Sequence, residues 1–406
     1  MSGGAEKLTT QAQANRGEAA AGDAKGRVIL PGSTIGVLGG GQLGRMLALA
    51  GSAMGYRFIA MDPTPDAPAG QVAEQIVAGY GDAEAARQLA RRSDVITYEF
   101  ENVDADVAGM LTAESYVPQG SSLLYTTQHR LREKRAIEAA GVKVAPYAEI
   151  RSVDELHEAV AKFGTPCVLK TAMGGYDGKG QWVIRSTEEI AKAFETLSKA
   201  KTELVLEQFI DFTMELSVIA SRSPRGEVKT FPPAENVHLD NILHLSIVPA
   251  RVPADIAAKA EELAVRIASS MEAVGLLAVE MFLTRDGELY VNELAPRPHN
   301  SGHYTMEACT TSQFEQHVRA VCNLPLGSAE LLTPVVMVNV LGEHVAPLLD
   351  YLAQNDTIDT EQVSAKIHLY GKAEAKEKRK MGHVNVLAKS TEDALHWIDQ
   401  TNIWRA

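Results

Sequence analysis

The chain has 406 residues, 45% of them hydrophobic, which is enough for two or three packed units. Its 39 lysines and arginines face 52 aspartates and glutamates, and the resulting net charge of −13 argues against nucleic acid as a partner. The three cysteines lack metal-ligand spacing, and the sequence has no apolar run of the roughly 18 residues that a membrane span needs. We therefore expect a globular cytoplasmic protein that binds neither nucleic acid nor a membrane.

The amino-terminal part of the sequence predicts a loose tail followed by a parallel sheet. Residues 1–30 hold almost no large apolar side chain and are expected to be disordered. The first folded unit, 31–126, contains strands at 34–39, 56–62 and 94–98, separated by helical stretches. This alternation predicts a Rossmann-like α/β unit that binds ligands at the carboxyl ends of its strands.

A glycine-rich turn follows the first strand. Gly39, Gly41 and Gly44 match G-x-G-x-x-G, and Asp62 ends the second strand, as in a dinucleotide site. A helix amino terminus also serves other phosphorylated ligands, so a nicotinamide dehydrogenase, another phosphate site and plain tight packing all remain open. Glu99, after the third strand, faces the same crevice, where it is predicted to bind a ribose or an amine, or to be a solvated loop acid.

The second unit, 127–325, is predicted to be α+β with much antiparallel pairing, and its lid subdomain spans about 145–210. Strands at 166–170 and 180–184 flank a loop with four glycines and Lys179. Glycines leave backbone N–H groups uncovered, so this loop can close over a phosphate. We predict a mobile phosphate lid, and the alternative is a flexible surface loop with solvated lysines.

A hairpin later in this unit opposes two carboxylates. Asp286-Gly287 is a strong hairpin signal, and a two-residue turn there places Glu280 directly opposite Glu293. Like charges on an apolar face destabilise, so we expect a positive group between them, most simply Mg²⁺ carrying nucleotide phosphates. The alternatives are a three-residue turn, which shifts the register by one, or a lysine or arginine as the counter-charge. The same face is predicted to carry Leu276, Ala278, Phe282, Leu289 and Val291.

The last unit, 326–406, is expected to be small and rich in β-structure. Its predicted strands lie near 335–340, 366–370 and 383–386. A charge-rich run at 373–380 would, by itself, be a solvated turn. The fold class predicted for the whole chain is therefore α/β and α+β.

The order of glycine lid, strand lysine and carboxylate pair resembles the ATP-grasp enzymes. Among them, the sequence is most similar to the 5-(carboxyamino)imidazole ribonucleotide synthase family. This implies an ATP-grasp fold with a preATP-grasp first domain, and carboxylation of 5-aminoimidazole ribonucleotide with ATP, Mg²⁺ and bicarbonate, through carboxyphosphate. It also implies a homodimer and a separate mutase acting downstream. The resemblance is carried by residues 39–44, 174–181, 235–238, 292–304, 370–372 and 379–383.

The resemblance also implies the residues that bind ATP and metal. Glu207 and the backbone of the next three residues would read adenine and ribose, and Glu280 and Glu293 would hold Mg²⁺. Taken singly, Glu215 and His238 would more often be surface residues. The implied ATP contacts are Arg130, Lys170, Gly175, Tyr176, Asp177, Gly178, Lys179, Gly180, Gln181, Glu207, Gln208, Phe209, Ile210, Glu215, His238, Asn292 and Glu293.

For the acceptor, the resemblance places the phosphate of 5-aminoimidazole ribonucleotide near Lys372 and Arg379, with Gln42 and Leu43 beside it. Glu99 completes the implied substrate residues.

The implied catalytic residues are Tyr176, Asp177, Lys179 and Arg297, and Asp177 is the first candidate to relay the proton that the acceptor amine loses. Arg297 suits an oxyanion best. In the bicarbonate region it would be joined by Asn300, Ser301 and His303, although His299 and His303 could instead be structural.

The nearest alternative function is another ATP-grasp ligase, such as a formate-using glycinamide ribonucleotide transformylase or a biotin carboxylase. The Gly-Gly-Tyr-Asp-Gly-Lys loop at 174–179 argues against both. A nicotinamide dehydrogenase and a non-catalytic nucleotide-binding module are the alternatives from other classes.

Overall fold

A computed structural model describes residues 26–175, 178–355 and 357–405. Residues 26–30 of the predicted tail belong to the described part. Residues 1–25 lie outside the described part, but Ile29 is buried and its N–H donates to the carbonyl oxygen of Cys322 at 2.9 Å. Folded structure therefore begins before residue 30. Across the described ranges, no helix is long and apolar enough to cross a membrane.

The first sheet alternates strands and helices as predicted. Its elements are β1 (Thr34–Leu38), α1 (Gln42–Ala53), β2 (Arg57–Asp62), β3 (Glu74–Val77), α2 (Ala83–Arg91), β4 (Val95–Tyr98), α3 (Ala105–Glu114) and α4 (Ser122–Thr127). The strands are parallel in the order β3-β2-β1-β4. Asp82 begins α2 by accepting the N–H groups of Glu84 and Ala85, which a helix start would otherwise leave unpaired. The glycine-rich turn therefore lies at the carboxyl end of a central strand, where ligands bind.

A second, antiparallel sheet forms the lid subdomain. Helix α5 (Arg130–Ala139) precedes it, and its own elements are β5 (Tyr147–Ile150), α6 (Val153–Phe163), β6 (Cys167–Thr171), β7 (Gln181–Ile184), α7 (Ile190–Ser198) and β8 (Leu204–Gln208). The strands follow the order β5-β8-β6-β7, and α6 and α7 share an apolar core with them. Strand β7 is an edge strand, and the glycine-rich loop joins it to β6 at one end of this sheet.

The third and largest sheet has nine strands. Its elements are β9 (Phe212–Arg222), β10 (Val228–Thr230), β11 (Ala234–Leu239), β12 (Ile242–Val248), α8 (Ala254–Ser270), β13 (Gly275–Thr284), β14 (Leu289–Ala295), α9 (Thr305–Ala308), α10 (Gln313–Val321), β15 (Val335–Leu341), α11 (Gly342–Gln354), β16 (Val363–Leu369), β17 (Lys380–Ala388) and α12 (Thr391–Thr401). The order is β14-β13-β9-β11-β12-β15-β17-β16, with β10 beside β9.

The strands of the predicted last unit continue this sheet. Strand β12 pairs with β15, so the strands before and after residue 326 belong to one hydrogen-bonded ladder. Helix α10 also joins α1 in one hydrophobic cluster through Phe314, Val318, Met46 and Leu47. The sheet that carries the carboxylate pair is therefore packed against the first unit and continuous with the last.

Candidate functional site

A cavity of about 490 Å³ lies between the lid sheet and the nine-stranded sheet. This volume is in the range of pockets that hold a small-molecule ligand. Both sheets contribute, because β6 and β8 supply one wall and β9, β13 and β14 supply the other. The cavity brings together fifteen of the predicted ATP and metal residues, which are Arg130, Lys170, Gly175, Gly178, Lys179, Gln181, Glu207, Gln208, Phe209, Ile210, Glu215, His238, Glu280, Asn292 and Glu293.

Other predicted residues lie beside the cavity or outside the described part. The Gly180 carbonyl accepts the N–H of Thr171 at 2.8 Å and closes the base of the glycine-rich loop. Arg297 and Asn300 line the same cavity. Tyr176 and Asp177 lie outside the described residues, so their roles stay predictions.

Glu280 pairs with Glu293 as predicted, although the turn differs from the prediction. The N–H of Thr284 donates to the carbonyl of Glu288 at 3.0 Å, so three residues rather than two make the turn. Asn292 is then an extra residue of β14, a bulge that falls between the pairs 280–293 and 281–291. The bulge restores the alignment that the longer turn had shifted.

The bulge also decides which side chains face the cavity. Leu289 and Val291 were predicted beside the two acids, but they lie in the large core behind the sheet. The three-residue turn causes this, because a shift of one residue moves a side chain to the opposite face. Asn292 and Glu293 are consecutive, yet both line the cavity. The bulge therefore places an amide and a carboxylate on one face.

Two basic side chains of the protein lie beside the carboxylates, as in the alternative to a metal ion. His299 Nε2 lies 3.0 Å from Glu280 Oε1, and Arg130 Nη1 lies 3.6 Å from Glu293 Oε2. Burial raises the pKa of Glu280, but the hydrogen bond and charge of His299 outweigh it and hold this pKa at about 2. Burial and the charge of Glu280 raise the pKa of Glu293. Glu280 is thus the better-neutralised member of the pair.

The oxygen atoms at this site suit a hard cation that also binds phosphates. The side-chain oxygen of Asn292 is buried without a hydrogen-bond partner, next to Glu293 in the chain. Nowhere in 26–175, 178–355 or 357–405 do three or more His, Cys, Asp or Glu side chains form a metal cluster of their own. Mg²⁺ typically takes one or two carboxylates and completes its shell with water and phosphate oxygens. Glu280, Glu293 and Asn292 fit that pattern.

Lys170 is held by a buried charge network. Its Nζ lies 2.9 Å from Glu207 Oε2, and Lys134 Nζ lies 3.2 Å from the other oxygen of Glu207. Burial raises the pKa of Glu207, but the two lysines outweigh it and keep this pKa at about 2. The predicted contact of Glu207 with adenine or ribose is therefore better suited to its strand backbone, because the carboxylate is engaged by lysines.

His238 and Glu215 form a pair on neighbouring strands. His238 Nδ1 lies 3.1 Å from Glu215 Oε2, and both side chains are about three-quarters buried. Burial lowers the pKa of His238, but the adjacent Glu215 carboxylate outweighs burial and raises this pKa above its ordinary value. The pair therefore places an imidazole and a carboxylate at the cavity, and neither residue is the surface residue that it would more often be alone.

The glycine-rich turn of the first unit is filled by Glu99. The N–H groups of Gly41 and Gly44 both donate to its carboxylate, and a Cβ atom at Gly39 would lie 2.3 Å from Glu99 Cγ. Asp62 is engaged too, since it accepts the N–H of Gly40 at 2.9 Å. An internal carboxylate thus occupies the amides that a dinucleotide phosphate would need, which argues against the dehydrogenase alternative.

Glu99 is 5% exposed, and burial raises its pKa to about 7 against the opposing effect of the two loop amides. The prediction that it binds the acceptor stays a prediction, because both oxygens already accept loop N–H groups.

The predicted acceptor-phosphate residues lie on one loop before β17. Lys372 Nζ donates to the carbonyl of Lys380 at 2.7 Å, and Arg379 Nη1 donates to the carbonyl of Glu374 at 2.9 Å. Burial and the charge of Arg379 lower the pKa of Lys372 to about 8. Gln71 Nε2 donates to the carbonyl of Gly371 at 2.8 Å and ties this loop to the first unit, which also contains Gln42 and Leu43 at the start of α1.

Three residues predicted for the bicarbonate region have different surroundings. Arg297 forms a two-pronged ion pair with Glu101 of the first unit, and both amide atoms of Asn300 are buried without a hydrogen-bond partner. Ser301 is fully buried, and its Oγ contacts Ser217 at 2.7 Å and His299 Nδ1 at 2.8 Å. Ser301 therefore orients His299 and does not line the cavity.

His303 lies away from the cavity, in a buried stack of aromatic rings. Its ring centroid is 4.6 Å from that of His383, and its Nδ1 lies 2.9 Å from Gln313 Nε2. Burial lowers its pKa well below the ordinary value. The surroundings of His303 therefore favour a structural role over a place in the bicarbonate region.

Two buried charged residues of the site were not predicted from the sequence. Glu133 and Lys134 are 3% and 1% exposed, and they follow Arg130 on α5. Their spacing was the available signal, because residues three and four positions apart share one face of a helix. A charged helix face beside a predicted ligand residue therefore marks further members of a site.

Three family models match the chain. A ribonucleotide synthetase preATP-grasp domain matches residues 32–128, an ATP-grasp domain matches 135–314, and a phosphoribosylaminoimidazole carboxylase C-terminal domain matches 335–396. By sequence, the chain is 52% identical over 380 residues to the N5-carboxyaminoimidazole ribonucleotide synthase of Bacillus subtilis (strain 168). The match covers 93% of this chain and 97% of that protein.

Solved structures agree with this match. The crystal structure of an ADP complex of an N5-carboxyaminoimidazole ribonucleotide synthetase superposes with a TM-score of 0.89 at 53% identity, covering 94% of this chain and 99% of that one. An Aspergillus clavatus synthase, solved with ADP and 5-aminoimidazole ribonucleotide, has a TM-score of 0.84 at 33% identity, and the shares are 92% and 99%. Sequence and fold thus agree over nearly the whole length.

Proposed function

The chain belongs to the N5-carboxyaminoimidazole ribonucleotide synthase family of ATP-grasp enzymes, and we propose that it carboxylates the exocyclic amine of 5-aminoimidazole ribonucleotide. It is an ATP-dependent carbon–nitrogen ligase of purine biosynthesis, and we take bicarbonate to be its carboxyl donor. The observation that carries the proposal is the opposed pair Glu280 and Glu293, which shares one cavity with Lys170.

We place ATP in the cavity between the lid sheet and the nine-stranded sheet. Lys170 faces it with a side chain that Glu207 holds in position, and its ammonium group offsets charge on the phosphoryl oxygens during transfer. The backbone of 208–210 reads the base from the end of β8, and Arg130 adds a second cation beside Glu293. The glycine-rich loop covers the phosphates from the lid side.

Glu280, Glu293 and the free side-chain oxygen of Asn292 would hold Mg²⁺. When bound, the ion neutralises the charge of the phosphates and aligns them for in-line transfer. The chain's own contribution is the bulge, which places these oxygens on one face, and His299, which keeps Glu280 ionised.

In the proposed chemistry, an oxygen of bicarbonate attacks the γ-phosphorus, ADP leaves, and carboxyphosphate forms. Carboxyphosphate breaks down to CO₂ and phosphate, and the acceptor amine attacks CO₂ to form the new C–N bond and loses one proton. Arg297 and Asn300 face the cavity where the bicarbonate would lie. Asp177 is our candidate to take that proton; Tyr176 precedes it directly and Lys179 follows two residues later.

We place the acceptor, 5-aminoimidazole ribonucleotide, between the first unit and the loop before β17. Lys372 and Arg379 carry the positive charge for its phosphate, and the start of α1 offers Gln42 and Leu43 from the other side. The product is a carbamate, so we propose that a separate mutase consumes it. We also propose a cytoplasmic homodimer.

The test is phosphate release from ATP in bicarbonate buffer, with and without 5-aminoimidazole ribonucleotide. We expect the acceptor to stimulate release strongly and each phosphate to match one carboxylated product. Glycinamide ribonucleotide with formate is the control acceptor pair and should give no stimulation. Equal release with and without 5-aminoimidazole ribonucleotide would contradict the proposal.

A further inference from the structure

Strand β14 is the outer edge of the nine-stranded sheet, so the N–H groups on its free side have no neighbouring long strand. The N–H of Val291 donates to the carbonyl of Lys143 at 2.9 Å. The next outward N–H, at Leu294, donates to Glu133 Oε1 at 2.8 Å. A carboxylate from α5 thus takes the place that a strand carbonyl would otherwise occupy.

The partner of that carboxylate depends on the register of β14. In a regular strand, outward N–H groups recur every second residue, so Glu293 would follow Val291. The bulge at Asn292 moves the outward position to Leu294, three residues after Val291. Glu133 therefore receives its hydrogen bond only in the bulged register. Without the bulge, Glu293 would point to the opposite face, toward the core that contains Val291.

We propose that Glu133 is a positioning residue of the metal site, because its carboxylate fixes the bulge of β14 and holds Asn292 and Glu293 on the cavity face opposite Glu280. The inference rests on the proposed magnesium site. Burying a carboxylate is costly unless it gains a specific partner, and Glu133 is 3% exposed. Arg130 precedes it by one helical turn and contacts Glu293, so one helix touches both the acid and the backbone behind it.

Two substitutions separate the hydrogen bond from the charge. In Glu133→Gln the amide oxygen can still accept the Leu294 N–H, whereas in Glu133→Leu nothing can. We expect the Mg²⁺ concentration that half-saturates ATP binding to rise about tenfold or more in Glu133→Leu, as when other supporting ligand contacts are removed, and to stay within about twofold of wild type in Glu133→Gln. Calorimetric titration with ATP, without acceptor or bicarbonate, measures this in the absence of turnover.

Folding is checked by thermal melting of each variant. Should Glu133→Leu not fold, Glu133→Asp replaces it, because the shorter side chain keeps the charge but withdraws the oxygen from Leu294. It should raise the Mg²⁺ requirement in the same way. Glu138→Leu is the matched control, since Glu138 lies on the same helix and its exposed carboxylate accepts the hydroxyl of Tyr147 at 2.8 Å, and we expect wild-type Mg²⁺ dependence.

The outcomes distinguish this inference from the function it rests on. If ATP binding by the wild-type protein does not depend on Mg²⁺, the proposed metal site is wrong. If wild-type binding does depend on Mg²⁺ but Glu133→Leu and Glu133→Asp match it, the metal site stands and the role of Glu133 is wrong. If Glu133→Gln is as impaired as Glu133→Leu, the carboxyl group matters and the hydrogen bond to Leu294 does not, which also overturns the inference.

Discussion

At the scale of single residues, the two facing carboxylates have different environments. Glu280 is neutralised by His299, whereas Glu293 faces Glu280 and has Arg130 at a longer distance. The pKa of Glu280 is accordingly low, and that of Glu293 is raised by burial and by Glu280. A neutral side chain should therefore cost the fold more at position 280 than at position 293.

We expect Glu280→Gln to lower the melting temperature of the nucleotide-free protein, because His299 loses its charged partner. Glu293→Gln should leave it level or raise it, because one of two like charges disappears. Both variants should lose most Mg²⁺-dependent ATP binding. Thermal melting and calorimetry at one fixed pH measure the two effects. A larger loss of stability in Glu293→Gln than in Glu280→Gln would contradict this assignment of charges.

Lys372 provides a pH-dependent test of the acceptor site. Burial and Arg379 lower its pKa to about 8, so it is largely charged at pH 7 and largely neutral at pH 9. If the charged form binds the acceptor phosphate, KM for 5-aminoimidazole ribonucleotide should rise about tenfold over this range. KM for ATP should change much less.

The matched control for this pH effect is Lys372→Arg, whose guanidinium stays charged throughout the same range. Its KM for the acceptor should be nearly flat between pH 7 and pH 9. An equal rise in both proteins would show that another group titrates, and would remove Lys372 from the phosphate site.

At the scale of elements, the glycine-rich loop between β6 and β7 is the part whose movement the mechanism needs. Carboxyphosphate and CO₂ are lost to water in an open cleft, so the loop must cover them during the reaction. Lys179 lines the cavity from this loop. The side chain of Lys179 should therefore affect how tightly ATP cleavage is coupled to carboxylation of the acceptor. It should hardly affect folding.

We expect Lys179→Ala to keep the wild-type melting temperature but to release more than one phosphate for each carboxylated product. Parallel assays of phosphate and product give that ratio. Lys199→Ala is the control, because this lysine lies just after α7 in the same subdomain and is largely exposed. A ratio of one in Lys179→Ala would remove our role for the loop lysine.

Most of the strands around the site could be predicted from apolar patterns. Some elements could not, because buried polar residues interrupt the apolar pattern. Strand β11 contains Glu235, Asn236 and His238, which break its alternation. Helix α10 buries Gln313 and His317, although polar side chains at these positions predict an exposed helix face. Such residues are buried because tertiary hydrogen bonds satisfy them, and those partners are far away in the sequence.

The same limit applies within the site. The opposed acids could be predicted because a hairpin is local, although their pairing matches the prediction only because the bulge at Asn292 compensates for the longer turn. The capture of the glycine-rich turn by Glu99 joins residues 58 positions apart at Gly41, and the bond from Leu294 to Glu133 spans 161 positions. Contacts between residues so far apart in the sequence depend on how the units pack. The pattern of residues within one segment does not specify that packing.

At the scale of the whole molecule, a partly buried ion pair joins the first unit to the nine-stranded sheet. Arg297 Nη2 lies 3.1 Å from Glu101 Oε1, and a second hydrogen bond joins the same side chains. Burial raises the pKa of Glu101, but the charge and hydrogen bonds of Arg297 outweigh it and hold this pKa at about 2. The pair therefore connects the first unit to Arg297, which lines the cavity.

We expect Glu101→Gln to lower the free energy of unfolding by about 2 kcal/mol, between the values for exposed and fully buried pairs, because Glu101 keeps partial contact with solvent. Its melting temperature should fall accordingly. Glu114→Gln, which breaks the exposed pair with Arg87, is the control and should leave the melting temperature unchanged. Equal melting temperatures for both variants would show that the pair between units adds no stability.

The unbroken ladder from β14 to β16 has a consequence for amide hydrogen exchange. Its central strands should exchange slowly as one cooperative block, in which the carboxylate strands and the strands bordering the acceptor loop open together. The lid sheet is a separate ladder, and its edge strand β7 should exchange faster. Added nucleotide should then slow deuterium uptake mainly in β6, β7 and their connecting loop, with little change in the larger block.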